Sequence, residues 1–266
     1  MTNDPLSSTN HRVNPPDSGR VKVVLFDLGS TLIYFDSTWP AVSAEMDQSM
    51  VDSLHQAGLV VDRERFIADF IARETAYYKE RDSEFIELTT LYLLHTTLAE
   101  HGYPQAPEEL LAKIVAEMYA ISQAHWHVEA DAASTLETLR QEGYRMGIVS
   151  NAGDDQDVRT LIERANLTGY FDTILSSAAA GIRKPHPKIF TMALAHWGFS
   201  PSQAVMVGDT LGADVLGAHN AGMPGIWISR RADTPGNRAH LDTIQPEAII
   251  SALSELPELL HTLPPV

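Results

Sequence analysis

Four apolar residues run directly into a carboxylate in Val23-Val24-Leu25-Phe26-Asp27, and a glycine, Gly29, follows two places later, ahead of hydroxyls at Ser30 and Thr31. A second acidic group stands in Gly208-Asp209-Thr210-Leu211-Gly212-Ala213-Asp214, again behind an apolar run. Carboxylates gathered in one crevice repel and raise one another's pKa unless a cation neutralises them. A hard divalent cation such as Mg²⁺ suits Asp27, Asp209 and Asp214, because it takes oxygen ligands and keeps several waters. Taken singly, each aspartate reads more readily as a helix or turn cap. Two further groups shift that balance. Ser150 and Asn151 offer a hydroxyl and an amide at a strand end beside a helix start, where donors hold an oxyanion. Lys184, in Gly181-Ile182-Arg183-Lys184-Pro185-His186-Pro187, sits between a loop and a helix beginning near Pro187, which can bring a fixed ammonium into the same cleft.

The elements that must position these groups are legible as periodicity. The run from Val21 to Phe26 is short, apolar and β-branched, as a parallel strand covered on both faces should be. Tyr144 to Ser150, Phe171 to Ser177, Ala204 to Asp209 and Gly225 to Ser229 read the same way. Helical spacing lies between them, in Ala133/Leu136/Leu139 stopped by Gly143, in Val158/Leu161/Ile162/Ala165, and in Ile189/Phe190/Ala193/Leu194/Trp197 ended by Gly198. Alternating strand and helix predict a doubly wound α/β fold with a parallel sheet, whose strand carboxyl ends open onto one crevice. Asp27, Ser150 with Asn151, Ser176 with Ser177, and Asp209 all fall at such ends.

From about Thr38 to His127 the pattern changes. Val42/Met46/Met50/Leu54, Phe66/Ile67/Phe70/Ile71, Leu88/Leu91/Leu94/Leu98 and Leu110/Leu111/Ile114/Val115/Met118 repeat at helical spacing and predict an insert of about four helices with these stripes as bundle core. Residues 1–20 carry Pro, Ser, Asn and Asp without period and read as a disordered tail. The chain is 266 residues long and 44% hydrophobic, enough for a full core, with a net charge of −16 from 35 acidic and 19 basic residues. That balance, without a basic stripe, disfavours nucleic acid and anionic membranes as partners. The absence of cysteine excludes disulfides and thiolate metal sites and makes a cytoplasmic address the simplest expectation. No apolar run is long enough to span a bilayer.

In the order of its motifs the sequence resembles the haloacid dehalogenase-like hydrolase superfamily. The motifs stand as Phe26-Asp27-Leu28-Gly29-Ser30-Thr31, Val149-Ser150-Asn151, Lys184-Pro185, and Gly208-Asp209 through Asp214, and the likeness runs from Val21 to about Leu260. It implies that Asp27 is a nucleophile forming an aspartyl-phosphate. It implies Mg²⁺ held by Asp27, Asp209 and the Gly29 backbone carbonyl, with Asp214 supporting directly or through water. Ser150 and Asn151 would bind the transferring phosphoryl group and Lys184 would balance charge. Residues 21–36 and 128–266 would form the core, and residues 37–127 a helical cap that excludes water and selects a small phosphorylated metabolite.

Gly29 departs from that pattern, because phosphatases of the superfamily usually carry there a second aspartate that protonates the leaving oxygen and activates water. Its loss is worth about 10² to 10⁴ in rate, so the expectation is a slowed or narrowed phosphate monoester hydrolase. Asp36 is a conceivable stand-in but reads more readily as a turn or cap residue. Two alternatives remain. A phosphonatase-like hydrolase would need a cap lysine, for which Lys79 and Lys113 are the candidates, and a non-catalytic module would bind a phosphate ligand or a protein on the same scaffold. A dehalogenase without metal fits the acidic Asp209 cluster less well. His125 and His127 read as surface or hinge residues, His186 as a loop residue, and Tyr34 and Trp39 as packing.

Overall fold

A computed structural model describes residues 21–263, so the expected tail over residues 1–20 lies outside the described residues. The five expected strands are present as β1 (Val23–Phe26), β4 (Arg145–Ser150), β5 (Thr173–Ser176), β6 (Ala204–Gly208) and β7 (Gly225–Ile228). Three short strands add to them: β2 (Ile33–Phe35), β3 (Trp126–Val128) and β8 (Ala248–Ile250). The main sheet is parallel throughout, in the order β5-β4-β1-β6-β7-β8, while β2 and β3 pair as a separate antiparallel ribbon.

Strand side chains alternate between faces, and here each face meets its own core. Val24 and Phe26 of β1, Met146 and Ile148 of β4, and Val205 and Val207 of β6 enter one cluster, whereas Val23, Leu25, Val149, Ala204 and Met206 enter another on the opposite side. Both faces are therefore apolar, which is why these strands appear in the sequence as unbroken hydrophobic runs. Each fully buried side chain contributes roughly 1.5–3 kcal/mol relative to exposure.

Between the ribbon strands lie α1 (Trp39–Gln56), α2 (Arg63–Glu84), α3 (Thr90–Glu100) and α4 (Glu108–Gln123). Helix α1 packs on α4 and α2 on α3, around a third core holding Val42, Met46, Met50, Leu54, Phe66, Phe70, Leu94, Leu98 and Leu111. One stripe residue departs from the expected core: Ile71 is 44% exposed and lines a cavity. After β3 come α5 (Ala132–Gln141), α6 (Asp155–Arg164), α7 (Ser177–Ala180) and α8 (Pro187–Leu194), then a π-helical turn (Leu211–Val215) leading into α9 (Leu216–Ala221). Among the described residues no helix is long and apolar enough to cross a membrane.

Candidate active site

Strands β4, β1 and β6 are neighbours at the centre of the sheet, with Phe26 level with both Ile148 and Val207. Asp27, Ser150 and Asp209 therefore leave the same edge side by side, and Asp27 is held there by its N–H donating to the Val207 carbonyl at 2.9 Å. Lys184, 3% exposed, reaches in from the loop before α8 and donates from Nζ to Asp27 Oδ1 and to Asp214 Oδ1, both at 2.6 Å. Carboxylate oxygens of Asp27, Asp209 and Asp214 lie within 4.8 Å of one another. Three acids thus face one ammonium, each of the four residues no more than 9% exposed.

The protonation pattern follows from that count. Burial pushes the Asp27 carboxyl up to about 6, Lys184 opposing it and the charge of Asp214 adding to it. Asp209 goes higher, to about 8, through burial and the charges of Asp27 and Asp214. Burial works against the Lys184 charge, but Asp214 and Asp27 outweigh it and hold the ammonium above its ordinary range. The cluster keeps an excess of negative charge over its lysine, which is the condition a hard divalent cation relieves, so the residues fit such an ion. Asp214 has both oxygens engaged, Oδ1 by Lys184 and Oδ2 by the Thr210 N–H at 2.9 Å, so Asp27 and Asp209 are the acids with oxygens left to give.

Backbone clamps hold these groups. Asn151 and Lys184 grip each other reciprocally, Asn151 Nδ2 donating to the Lys184 carbonyl at 3.0 Å and the Lys184 N–H to Asn151 Oδ1 at 2.8 Å. Asn151 thus acts first on the lysine loop, whereas the sequence pointed its amide at an oxyanion. Two residues the sequence analysis did not single out pin the Asp209 carbonyl, Trp227 Nε1 and Asn237 Nδ2, each at 2.8 Å, and Asn237 Oδ1 also accepts from the Leu211 N–H. Since they act on backbone, no side-chain motif announces them. Gly208 is needed for a close approach, because a Cβ there would fall 2.2 Å from Asp214 Cγ.

A cavity of about 800 Å³ opens over the crevice beneath the four helices, and Asp27, Gly29, Ser150, Asn151, Lys184, Asp209 and Asp214 all line it. The place beside Gly29 is closed by an indole, since a Cβ on Gly29 would lie 3.1 Å from Trp126 Cη2. Trp39 also lines the cavity, whereas Tyr34 stacks under the Arg231 guanidinium. Lys79 and Lys113 are exposed and do not line it. Asp36 is half-exposed and lies between His125 Nδ1 at 3.0 Å and His127 Nε2 at 2.7 Å, where hydrogen bonds from both rings hold its carboxyl below the usual range. These three residues tie the two ribbon strands together. His186 caps α8 through its ring nitrogen.

A second seam joins helices to crevice. Glu87, 7% exposed, accepts from Tyr77 Oη at 2.5 Å and Ser177 Oγ at 2.7 Å and pairs with Arg183 at 3.3 Å. Backbone bonds run alongside it, from Glu87 N–H to the Gly181 carbonyl and from Arg183 N–H to the Phe85 carbonyl. At the base of α6, Asp157 accepts from Gln123 Nε2 of α4 at 2.8 Å, and burial raises its carboxyl to about 7.

A family profile described as haloacid dehalogenase-like hydrolase matches residues 21–222. The chain belongs to that family. It is 29% identical over 244 residues, 92% of its own length and 93% of the other's, to the glyceraldehyde 3-phosphate phosphatase of Pyrococcus furiosus. Among solved structures, a phosphatase of the family from Thermococcus onnurineus is 28% identical with a TM-score of 0.58, covering 92% of this chain and 100% of that one. A 2-haloacid dehalogenase from Pseudomonas syringae is 26% identical with a TM-score of 0.62, covering 91% and 98%. The six-stranded parallel sheet is thus the family's core fold, as the motifs implied.

Proposed function

We propose that this family member is a Mg²⁺-dependent hydrolase of small phosphate monoesters that works through an aspartyl-phosphate on Asp27. The observation that carries the reading is the Lys184 ammonium bridging Asp27 and Asp214 at 2.6 Å while Asp209 adds a third carboxylate within 4.8 Å. Asp27 and Asp209 would hold the ion, joined by the Gly29 backbone carbonyl, with Asp214 acting through its charge. Bound there, Mg²⁺ supplies the positive charge that lets a phosphate dianion approach three acids and polarises its oxygens.

The residues of the chain do the rest. With its carboxyl near 6, Asp27 is ionised at neutral pH and carries the electron pair for attack. A new O–P bond forms from its carboxylate as the ester O–P bond breaks, and the leaving oxygen departs with the bonding pair and takes a proton from water. Water then adds its oxygen to phosphorus, the acyl-phosphate bond returns its electrons to Asp27, and the surplus proton leaves as inorganic phosphate is released. Lys184 keeps the nucleophile charged and aimed, Ser150 donates its hydroxyl to the transferring group, and the Asn151 clamp holds Lys184 in place. The four helices close the cavity and exclude bulk water. The relative acting on glyceraldehyde 3-phosphate supports the phosphate class.

The dehalogenase neighbour makes carbon–halogen hydrolysis by the same aspartate a second reading. The third acid disfavours it, because a metal-free reaction has no use for the extra carboxyl that Asp209 brings beside Asp27. A panel of sugar phosphates, aryl phosphates, acetyl phosphate and a 2-haloacid, assayed with Mg²⁺ and with chelator, separates these readings. The expected result is phosphate release that chelator abolishes. Chelator-resistant halide release overturns it in favour of the dehalogenase, and folded protein inert on every compound overturns it in favour of a binding module.

A further inference from the structure

Resting on the phosphatase reading, we propose that the leaving alcohol of the substrate bears an aromatic ring and no anionic group. Size is the first argument. A cavity of about 800 Å³ lies in the range that buries drug-sized ligands, and a three-carbon phosphate at Asp27 would leave most of it to water. Its lining is the second. Trp39 of α1, Phe70 and Tyr78 of α2, Tyr119 of α4 and Trp126 of β3 all face it, a set of rings suited to stacking on a planar group. Trp39 and Tyr78 are 50% and 42% exposed, so these two rings carry apolar surface that nothing else among the described residues covers.

Charge is the third argument and is independent of the other two. Beyond the catalytic cluster the cavity is lined by Asp47, Glu74, Glu87 and Asp157 against the guanidiniums of Arg81 and Arg183. Both cations are engaged: Arg183 pairs with Glu87, and Arg81 lies over the Tyr78 ring at 3.9 Å from its centroid. Asp47 faces Glu74, and burial with that neighbouring charge pushes its carboxyl up to about 6. With four carboxyls set against two guanidiniums, a carboxylate or second phosphate on the leaving group meets net repulsion here. The ring beside Gly29 acts in the same sense, putting the apolar Trp126 indole where a polar side chain on residue 29 would otherwise stand.

Three alkyl esters with closely similar reacting oxygens test this: 2-phenylethyl phosphate, ethyl phosphate and phosphoglycolate, each assayed with Mg²⁺ for kcat/KM. The expected order is 2-phenylethyl phosphate first, by about tenfold or more over each of the others. In Trp39→Ala the ratio of 2-phenylethyl to ethyl phosphate falls about tenfold. In the conservative Asp47→Asn the ratio of phosphoglycolate to ethyl phosphate rises. Titration calorimetry on Asp27→Asn protein, which binds without turnover, should give the same order of affinities. Preference for phosphoglycolate, or ratios indifferent to both variants, overturns the inference while leaving the phosphatase intact. Failure to hydrolyse these esters and acetyl phosphate alike overturns the phosphatase reading and this inference together.

Discussion

The crevice at the strand ends and the cavity under the helices share one boundary but are built on different physics. In the crevice Asp27, Lys184, Asp209 and Asp214 are each clamped by a short polar contact to backbone or to an opposite charge, as Lys184 is by Asn151 and Asp209 by Trp227 and Asn237. Under the helices, shape and ring surface dominate, and several side chains that face the cavity remain half-exposed. On the proposed function, position is what the first region supplies and selection is what the second supplies. A change in the crevice should therefore alter turnover of all substrates equally, whereas a change under the helices should reorder substrates.

The largest effect tests the first half of that contrast. Asp27→Asn is expected to lower turnover by roughly 10⁴-fold or more on every ester, with the fold retained in circular dichroism, because an amide forms no acyl-phosphate. A loss confined to some esters would break the contrast. Lys184→Met comes next. It strands two buried carboxylates, at a cost of about 3–5 kcal/mol in urea denaturation of the metal-free protein, and slows all substrates together. Added Mg²⁺ should recover part of that stability, since it brings back positive charge.

A third test sits on the boundary between the regions. Gly29→Asp alone should not speed alkyl esters, because its side chain meets the Trp126 ring at 3.1 Å and costs about 1–3 kcal/mol of packing. Combined with Trp126→Ala, the new carboxyl gains room to donate a proton, and alkyl-ester turnover should rise by up to about 10²-fold over the single variant. Equal rates in the two variants would show that the indole is not what holds the place closed.

The smallest effect concerns Asp157 at the seam. Its folded-state pKa of about 7 lies above the ordinary 3.8, so as pH rises the unfolded chain releases this proton first. Its contribution therefore favours the folded state below the ordinary value and is lost between there and about 7. Asp157→Asn keeps the acceptor for Gln123 and removes the titration. Its Tm should match the parent in acid and exceed it above neutrality by the equivalent of about 1–2 kcal/mol, cavity water screening the rest. A Tm difference independent of pH would assign the effect to packing instead.

Legibility in the sequence divides along the same line. Parallel strands covered on both faces must be apolar on both, so β1, β4, β6 and β7 stood out as runs, as did the half-buried edge strand β5, and the acids and hydroxyls that end them pointed to a shared crevice. The three-residue strands β2, β3 and β8 are too short to show a period. Helical spacing identified the stripes of the bundle, but it does not say whether the flank of a stripe meets another helix or a cavity, and Ile71 fell on the wrong side. The meeting of Asp36 with His125 and His127 was not legible, because it depends on pairing across a ribbon whose strands are separated by the whole helical insert. Trp227 and Asn237 escaped notice because a side chain that serves a carbonyl leaves no pattern of its own.

Gly208 shows how this site restricts its own drift over generations. The residue takes part in no chemistry, yet Asp214 fills the volume that any side chain on it would need, with Cγ 2.2 Å from the position of a Cβ. Even alanine there would push Asp214 aside, take a counter-charge from Lys184 and, through that lysine, disturb Asp27. The freedom to mutate at one silent backbone position is thus set by a carboxylate on the turn that follows it, and a lineage that changes Gly208 must first do without the acid that occupies its place.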